Sequence, residues 1–165
     1  MHTLNVICSK TDTYIGKGIR LILGGKYNHC SVYFDENDEI IYSFSRVVHC
    51  LWFTGAFCKE TKKSYLEYEV FSIDISNSQY QEMLSIIRQS SEGYCMYNYV
   101  NALLLPLGTG FDWRGHYTCS TFVAYLLSKC MLLDKSFLVY TPMDIYNLLK
   151  KSSYACTDLD LRYRA

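Results

Sequence analysis

The sequence predicts a single α+β domain, and three observations carry that prediction. Most strand-like segments, rich in aromatic and branched residues, lie in the first half of the chain, while the best amphipathic helices lie in the second. Two early strands are joined by a short polar turn, so the sheet reads as mainly antiparallel and segregated from the helices. The 165 residues hold two prolines and nine glycines, with no repeat, low-complexity tract or linker to divide 1–165 into two domains.

Taken in order, Leu4 to Cys8 reads as a first strand. Thr11 to Leu23 follows as a helix weakened by Gly16 and Gly18 and ended by Gly24-Gly25. Asn28 to Phe34 and Ile40 to Phe44 form a hairpin around the polar turn Asp35-Glu-Asn-Asp38. Tyr65 to Ile75 is a further strand, alternating at Glu67 and Glu69 before becoming wholly apolar. Ser78 with Gln81 makes a capping-box pattern for a helix running to Gly93, with Tyr80, Leu84 and Ile87 on one face. Tyr94 to Leu107 is aromatic, then aliphatic, and is broken by Pro106 and Gly108. Ser120 to Leu132 is the best helix of the chain, with Phe122, Val123, Leu126, Leu127 and Cys130 on one stripe. Thr141-Pro-Met-Asp144 opens the last long helix with a cap, a proline in the first turn and a carboxylate at the third position. Leu159, Leu161 and Tyr163 alternate with charged residues as a closing strand.

Composition excludes several function classes. Half the residues are apolar and 19% charged, which excludes disorder. Sixteen Lys and Arg balance sixteen Asp and Glu without a dense basic stripe, so no nucleic-acid partner is expected. No apolar run approaches the roughly 18 residues of a membrane span, so no transmembrane segment is expected. The N-terminus lacks the basic start and apolar stretch of an export signal, which points to a cytoplasmic protein with its eight cysteines reduced. No two cysteines are spaced C-x₂-C. His116 with Cys119, and His49-Cys50 with Cys58, lack a second ligand pair, so no metal and no cofactor is expected.

Cys119 stands apart by placement. It lies at the N-terminal lip of the best helix, where the macrodipole and unpaired backbone N–H groups favour a thiolate, the nucleophilic form. The same N–H groups can hold an oxyanion. A buried capping cysteine would occupy the same place. Of the four histidines, His29 lies in a strand, which fixes its ring better than the loops around His49 and His116 would. His2 is terminal. A half-buried strand histidine is the bland reading of His29; a helix-start cysteine together with a strand histidine favours a nucleophile and base.

Tyr27-Asn-His-Cys-Ser-Val-Tyr-Phe-Asp35, Ile41-Tyr-Ser-Phe-Ser-Arg46, Tyr117-Thr-Cys-Ser-Thr-Phe-Val-Ala124 and Thr141-Pro-Met-Asp144, in that order, resemble circularly permuted papain-like enzymes of the NlpC-type superfamily. That superfamily also holds lecithin–retinol acyltransferase-like proteins. The resemblance spans about residues 4 to 150, and His29 preceding Cys119 is the permuted order. It implies a helix bearing the cysteine packed on a small antiparallel sheet bearing the histidine. It also implies a polar residue on the neighbouring strand that orients the imidazole. Hairpin arithmetic puts that residue at Ser43, with Ser45 next. Where family members carry His, Glu, Gln or Asn, a serine offers no charge to hold an imidazolium. The superfamily further implies a tyrosine near the oxyanion. Tyr94, Tyr97 and Tyr99 compete for the role, with Tyr97 preferred. Asp144 reads as helix capping.

The expected activity is a cysteine-dependent hydrolase cleaving a peptide or N-acyl amide through a thioacyl-enzyme, with Cys119 as nucleophile and His29 as base. The runner-up is a thiol-dependent acyltransferase moving a fatty acyl group. Leu103 to Leu107 and the aromatic segment Leu51 to Phe57 tolerate an acyl-lipid substrate and leave room for peripheral contact with a membrane, although packing explains both. A binding module that keeps the fold without catalysis is the third reading.

Overall fold

The computed structural model describes residues 1–11, 24–35, 40–46, 55–61, 65–93, 95–131, 133–152 and 155–157. The architecture is α+β. Among the described residues eight strands form one sheet: β1 (His2–Lys10), β2 (His29–Phe34), β3 (Ile41–Arg46), β4 (Gly55–Glu60), β5 (Glu67–Ile75), β6 (Met96–Tyr97), β7 (His116–Tyr117) and β8 (Ala155–Thr157). Their spatial order is β7-β6-β4-β3-β2-β1-β5-β8, and every pairing is antiparallel except β6 with β7.

Four helices are described: α1 (Asn77–Glu92), α2 (Tyr99–Leu104), α3 (Cys119–Leu127) and α4 (Pro142–Lys151). None of the described helices is long and apolar enough to cross a membrane. Beyond Thr11, the helix expected at 11–23 lies outside the described residues. So do most of the hairpin turn, His49, Cys50, Leu51 to Phe53, Tyr94 and the strand expected at 159–163.

Alternation of side chains along the strands divides the core in two. Leu4, Val6 and Cys8 of β1, Cys30, Val32 and Phe34 of β2, Phe44 of β3 and Phe71 of β5 lie beneath the helices. There they meet Phe122, Val123, Leu126 and Leu127 of α3 and Ile145 and Leu149 of α4. Burying each such side chain contributes about 1.5–3 kcal/mol. On the opposite face Ile7, Tyr33, Ile41, Tyr65, Tyr68 and Val70 form a second cluster.

Two local expectations shift. The capping box of α1 is Ser76 with Gln79, two residues before the expected Ser78 and Gln81. The helix starts as soon as β5 ends at Ile75, and Ser78 Oγ instead lies 2.9 Å from Ser76 Oγ. Helix α3 begins at Cys119 behind an N-cap at Thr118 and stops at Leu127, short of Leu132. Strand β4 was not expected, because Leu51 to Phe57 reads as an aromatic loop. It pairs with β3 along its whole length, setting Cys58 opposite Ser43 and Glu60 opposite Ile41.

Candidate active site

Cys119 owes its position to a capping box. Thr118 is extended, its Oγ1 accepts from the Thr121 N–H at 3.1 Å, and the Thr121 hydroxyl accepts from the Thr118 N–H at 2.8 Å. Ser120 donates to the Tyr140 carbonyl at 2.7 Å, tying the first turn of α3 to the segment before α4. This leaves the Cys119 and Ser120 N–H groups without an intrahelical acceptor, as the geometry of a helix start requires. The thiol is buried, at 6% exposure.

His29 is the first residue of β2 and is also buried. Cys119 lies near enough to the ring to raise the imidazole pKa. Nε2 of His29 lies 3.0 Å from Glu60 Oε2, so Nδ1 is the nitrogen left to serve the thiol. Burial pushes the imidazole toward neutrality. The Glu60 carboxylate, and after it Cys119, outweigh that effect, and the His29 pKa rises well above its ordinary value.

Glu60 is the centre of a buried polar cluster. Ser43 Oγ donates to Oε1 at 2.6 Å, Tyr65 OH donates to Oε2 at 2.7 Å, and the Cys58 thiol lies 3.5 Å from Oε1. Ser31 Oγ lies 2.9 Å from Tyr65 OH, and Ser45 Oγ lies 3.0 Å from Cys58 Sγ. Burial alone would raise the Glu60 pKa. His29, Ser43 and Tyr65 together hold the carboxyl well below the usual carboxylate range. Tyr65 is shifted up, first by burial and then by the Glu60 charge, and so stays a donor.

Four sequence-derived site residues can now be placed. Cys119 and His29 come near enough for the thiol to raise the imidazole pKa. Tyr97 is near enough to Cys119 for its phenol to feel the sulfur's charge; burial first and that charge second raise its pKa. The strand bearing Tyr97 pairs with the one preceding Cys119, Tyr97 opposite Tyr117, and the Asn98 N–H donates to the Tyr117 carbonyl at 2.9 Å. Tyr99 stacks obliquely on Tyr97, with ring centroids 4.9 Å apart.

Ser43 does not hold the imidazole. Its hydroxyl is spent on Glu60, and Ser45 reaches Cys58 rather than His29. The correction has a physical reason: a carboxylate can bring charge to the ring and leave an oxygen for a serine, whereas a hydroxyl brings no charge. Asp144 caps α4, accepting from the Thr141 N–H at 2.8 Å. His116 places Nδ1 3.0 Å from the Arg114 carbonyl and stacks on Trp113, and no contact with Cys119 is found among the described residues.

Removing the Ser43 hydroxyl deprives a carboxylate of one donor. Ser43→Ala is expected to cost about 1.5–3 kcal/mol of stability, measured by urea unfolding, and to leave Cys119 near His29. A loss below about 0.5 kcal/mol would mean that water replaces the hydroxyl freely. The arrangement as a whole can take a proton from a thiol, hold the resulting imidazolium against a carboxylate, and present helix-start N–H groups to an oxyanion. No model of a protein family, no curated protein and no solved structure matches this chain.

Proposed function

We propose that the protein is a cysteine-dependent hydrolase with a circularly permuted papain-like core, acting on an amide-type bond through a thioacyl-enzyme. The carrying observation is the buried His29 bonded to Glu60 at 3.0 Å, with the helix-start Cys119 near enough to raise the imidazole pKa. Glu60 supplies the charge that a serine at the orienting position would lack. That favours catalysis over a binding module of the same shape.

In this reading Nδ1 of His29 takes the Cys119 proton and Glu60 steadies the imidazolium. The thiolate adds to the carbonyl carbon, and the oxyanion turns toward the Cys119 N–H and the Tyr97 hydroxyl. Collapse expels the amine, which receives its proton from His29. Water, deprotonated by the same ring, then attacks the thioester and frees Cys119.

Acyl transfer is the second reading, and one observation favours it. Val100, Leu103, Leu107, Phe111 and Trp113 are exposed, and the segment bearing them lies between the strand of Tyr97 and the strand leading to Cys119. An acyl chain or an amine acceptor would lie against such a surface more readily than a polar peptide.

Limited alkylation with iodoacetamide at mildly acidic pH, followed by peptide mapping, tests the shared claim. Cys119 is expected to react well ahead of the other seven cysteines. Uniform labelling removes the nucleophile. Incubation with 4-nitrophenyl acetate, with and without an added amine, then separates water from amine as the second acceptor.

A further inference from the structure

The oxygen of Glu60 that His29 uses is shared. Oε2 lies 3.0 Å from His29 Nε2 and accepts from Tyr65 OH at 2.7 Å, the shorter of the two bonds. The phenol has one hydrogen and gives it to Glu60, so Ser31 Oγ, 2.9 Å away, is the donor to the phenol oxygen. Ser31 lies two residues beyond His29 on β2 and therefore on the same face of the sheet. A chain of hydrogen bonds thus leaves β2 at Ser31, passes through Tyr65 and Glu60, and returns to β2 at His29. Ser31 and Tyr65 are both buried. The Leu66 N–H, donating to the Lys10 carbonyl at 2.9 Å, and an edge-on contact with Tyr68, ring centroids 5.9 Å apart, hold Tyr65 in place.

The thioacyl route makes no direct use of that phenol. Ser43, on Oε1 at 2.6 Å, and His29 itself already fix the direction of the carboxylate. A second donor on the oxygen that faces the imidazole has a different effect: it takes up part of the negative charge otherwise offered to the ring. The titratable groups facing the His29–Glu60 pair are Cys119 from α3, Cys58 from β4 and Tyr65 itself, with Tyr68 of β5 behind the phenol and Tyr97 of β6 beyond the thiol. Strand β3 adds the neutral Ser43 and Ser45, and β1 the neutral Ser9 opposite His29. None of these groups brings a positive charge, so the donors on Glu60 set how much charge reaches the imidazole. A base that must also return its proton works best with a pKa near the operating pH. Deacylation needs a neutral ring to deprotonate water, and an unshared carboxylate would hold that ring as imidazolium.

We infer that Tyr65, backed by Ser31, is a positioning residue that limits how strongly Glu60 holds the imidazolium of His29 and so keeps the second half-reaction open. The inference rests on the hydrolase reading of Cys119 and His29. Tyr65 touches neither substrate nor thiol in this role; it acts through one carboxylate oxygen.

The test compares Tyr65→Phe and Ser31→Ala with wild type in the burst and steady-state phases of 4-nitrophenyl acetate hydrolysis and in an NMR titration of the His29 ring signals. Phenylalanine keeps the packing of the ring and removes the donor. In Tyr65→Phe the His29 midpoint is expected about one pH unit higher, and steady-state turnover at neutral pH up to about tenfold slower, with the burst rate within about threefold of wild type. Ser31→Ala weakens the phenol as a donor without removing it, so both changes should have the same sign and be smaller. A merely structural role would lower burst amplitude and turnover together, in proportion to the folded fraction, and leave the midpoint in place. That result, or a midpoint that falls, overturns the inference. If Tyr65→Phe does not fold, Ser31→Ala decides by the same three readouts. A raised midpoint in a protein without an acetylation burst at Cys119 keeps the control of His29 by Tyr65 and rejects the hydrolase reading, whereas an unmoved midpoint with a normal burst does the reverse.

Discussion

His29→Gln is expected to slow acetylation of Cys119 by 4-nitrophenyl acetate by about 10²–10⁴-fold, the usual contribution of a positioned base. Glutamine keeps an N–H donor for Glu60 and removes the group able to take the thiol proton, so the loss should come with little loss of stability. His29→Ala should lose the same rate and also about 3–5 kcal/mol of stability, because it strands the Glu60 carboxylate in the interior. Burst kinetics give the rate, and urea unfolding gives the stability. A His29→Gln protein acetylated within a few-fold of wild type would show that Cys119 reacts without the imidazole.

Glu60→Ala is expected to be the most damaging change outside the reacting pair. It leaves a buried imidazole without its counter-charge and removes the acceptor of Ser43 and Tyr65, at a cost of about 3–5 kcal/mol. The pH dependence carries the sharper signature. Glu60 has a folded-state pKa below its ordinary 4.5, so its contribution is present above that value and is lost as the solution is acidified toward the folded pKa. His29 has a folded-state pKa above its ordinary 6.5, so its contribution is complete below 6.5 and fades as pH rises through the folded value. Wild-type stability owed to the pair is therefore greatest between 4.5 and 6.5 and persists into the alkaline side. In Glu60→Ala the acid-side fall owed to the carboxylate disappears and imidazole protonation now opposes folding, so stability should rise from pH 5 to 7 rather than hold level. Urea midpoints across that range measure it. Unchanged midpoints in the variant would mean that His29 and Glu60 do not interact in solution.

Where local chemistry decides a residue's place, the sequence was readable. Thr118-Cys-Ser-Thr121 carries its own reciprocal cap, so a helix had to begin near Cys119. The branched and aromatic run from His29 to Phe34 had to be a strand. The places of Cys119 at a helix start and of His29 in a strand followed from those two segments.

Glu60 was not readable, for a physical reason. Its strand, Gly-Ala-Phe-Cys-Lys-Glu, is short, begins with glycine and ends in charges, so it has neither a long alternation nor a turn signal. A glutamate at a strand end ordinarily faces water. Only pairing with β3, which brings Ser43 and Cys58 together, turns that carboxylate inward. The alternation of Ala56, Cys58 and Glu60 against Phe57 and Lys59 was the one trace of it. Ser43, expected beside the ring, belongs to the cluster and donates to the carboxylate.

The sheet order carries a consequence for behaviour at high concentration. Among the described residues, the outermost strand at one end is β7, with two residues. Rows of unpaired amides and carbonyls that short give a neighbouring molecule almost nothing to zip onto. Self-association driven by backbone pairing at that end of the sheet should therefore be weak while the native fold persists.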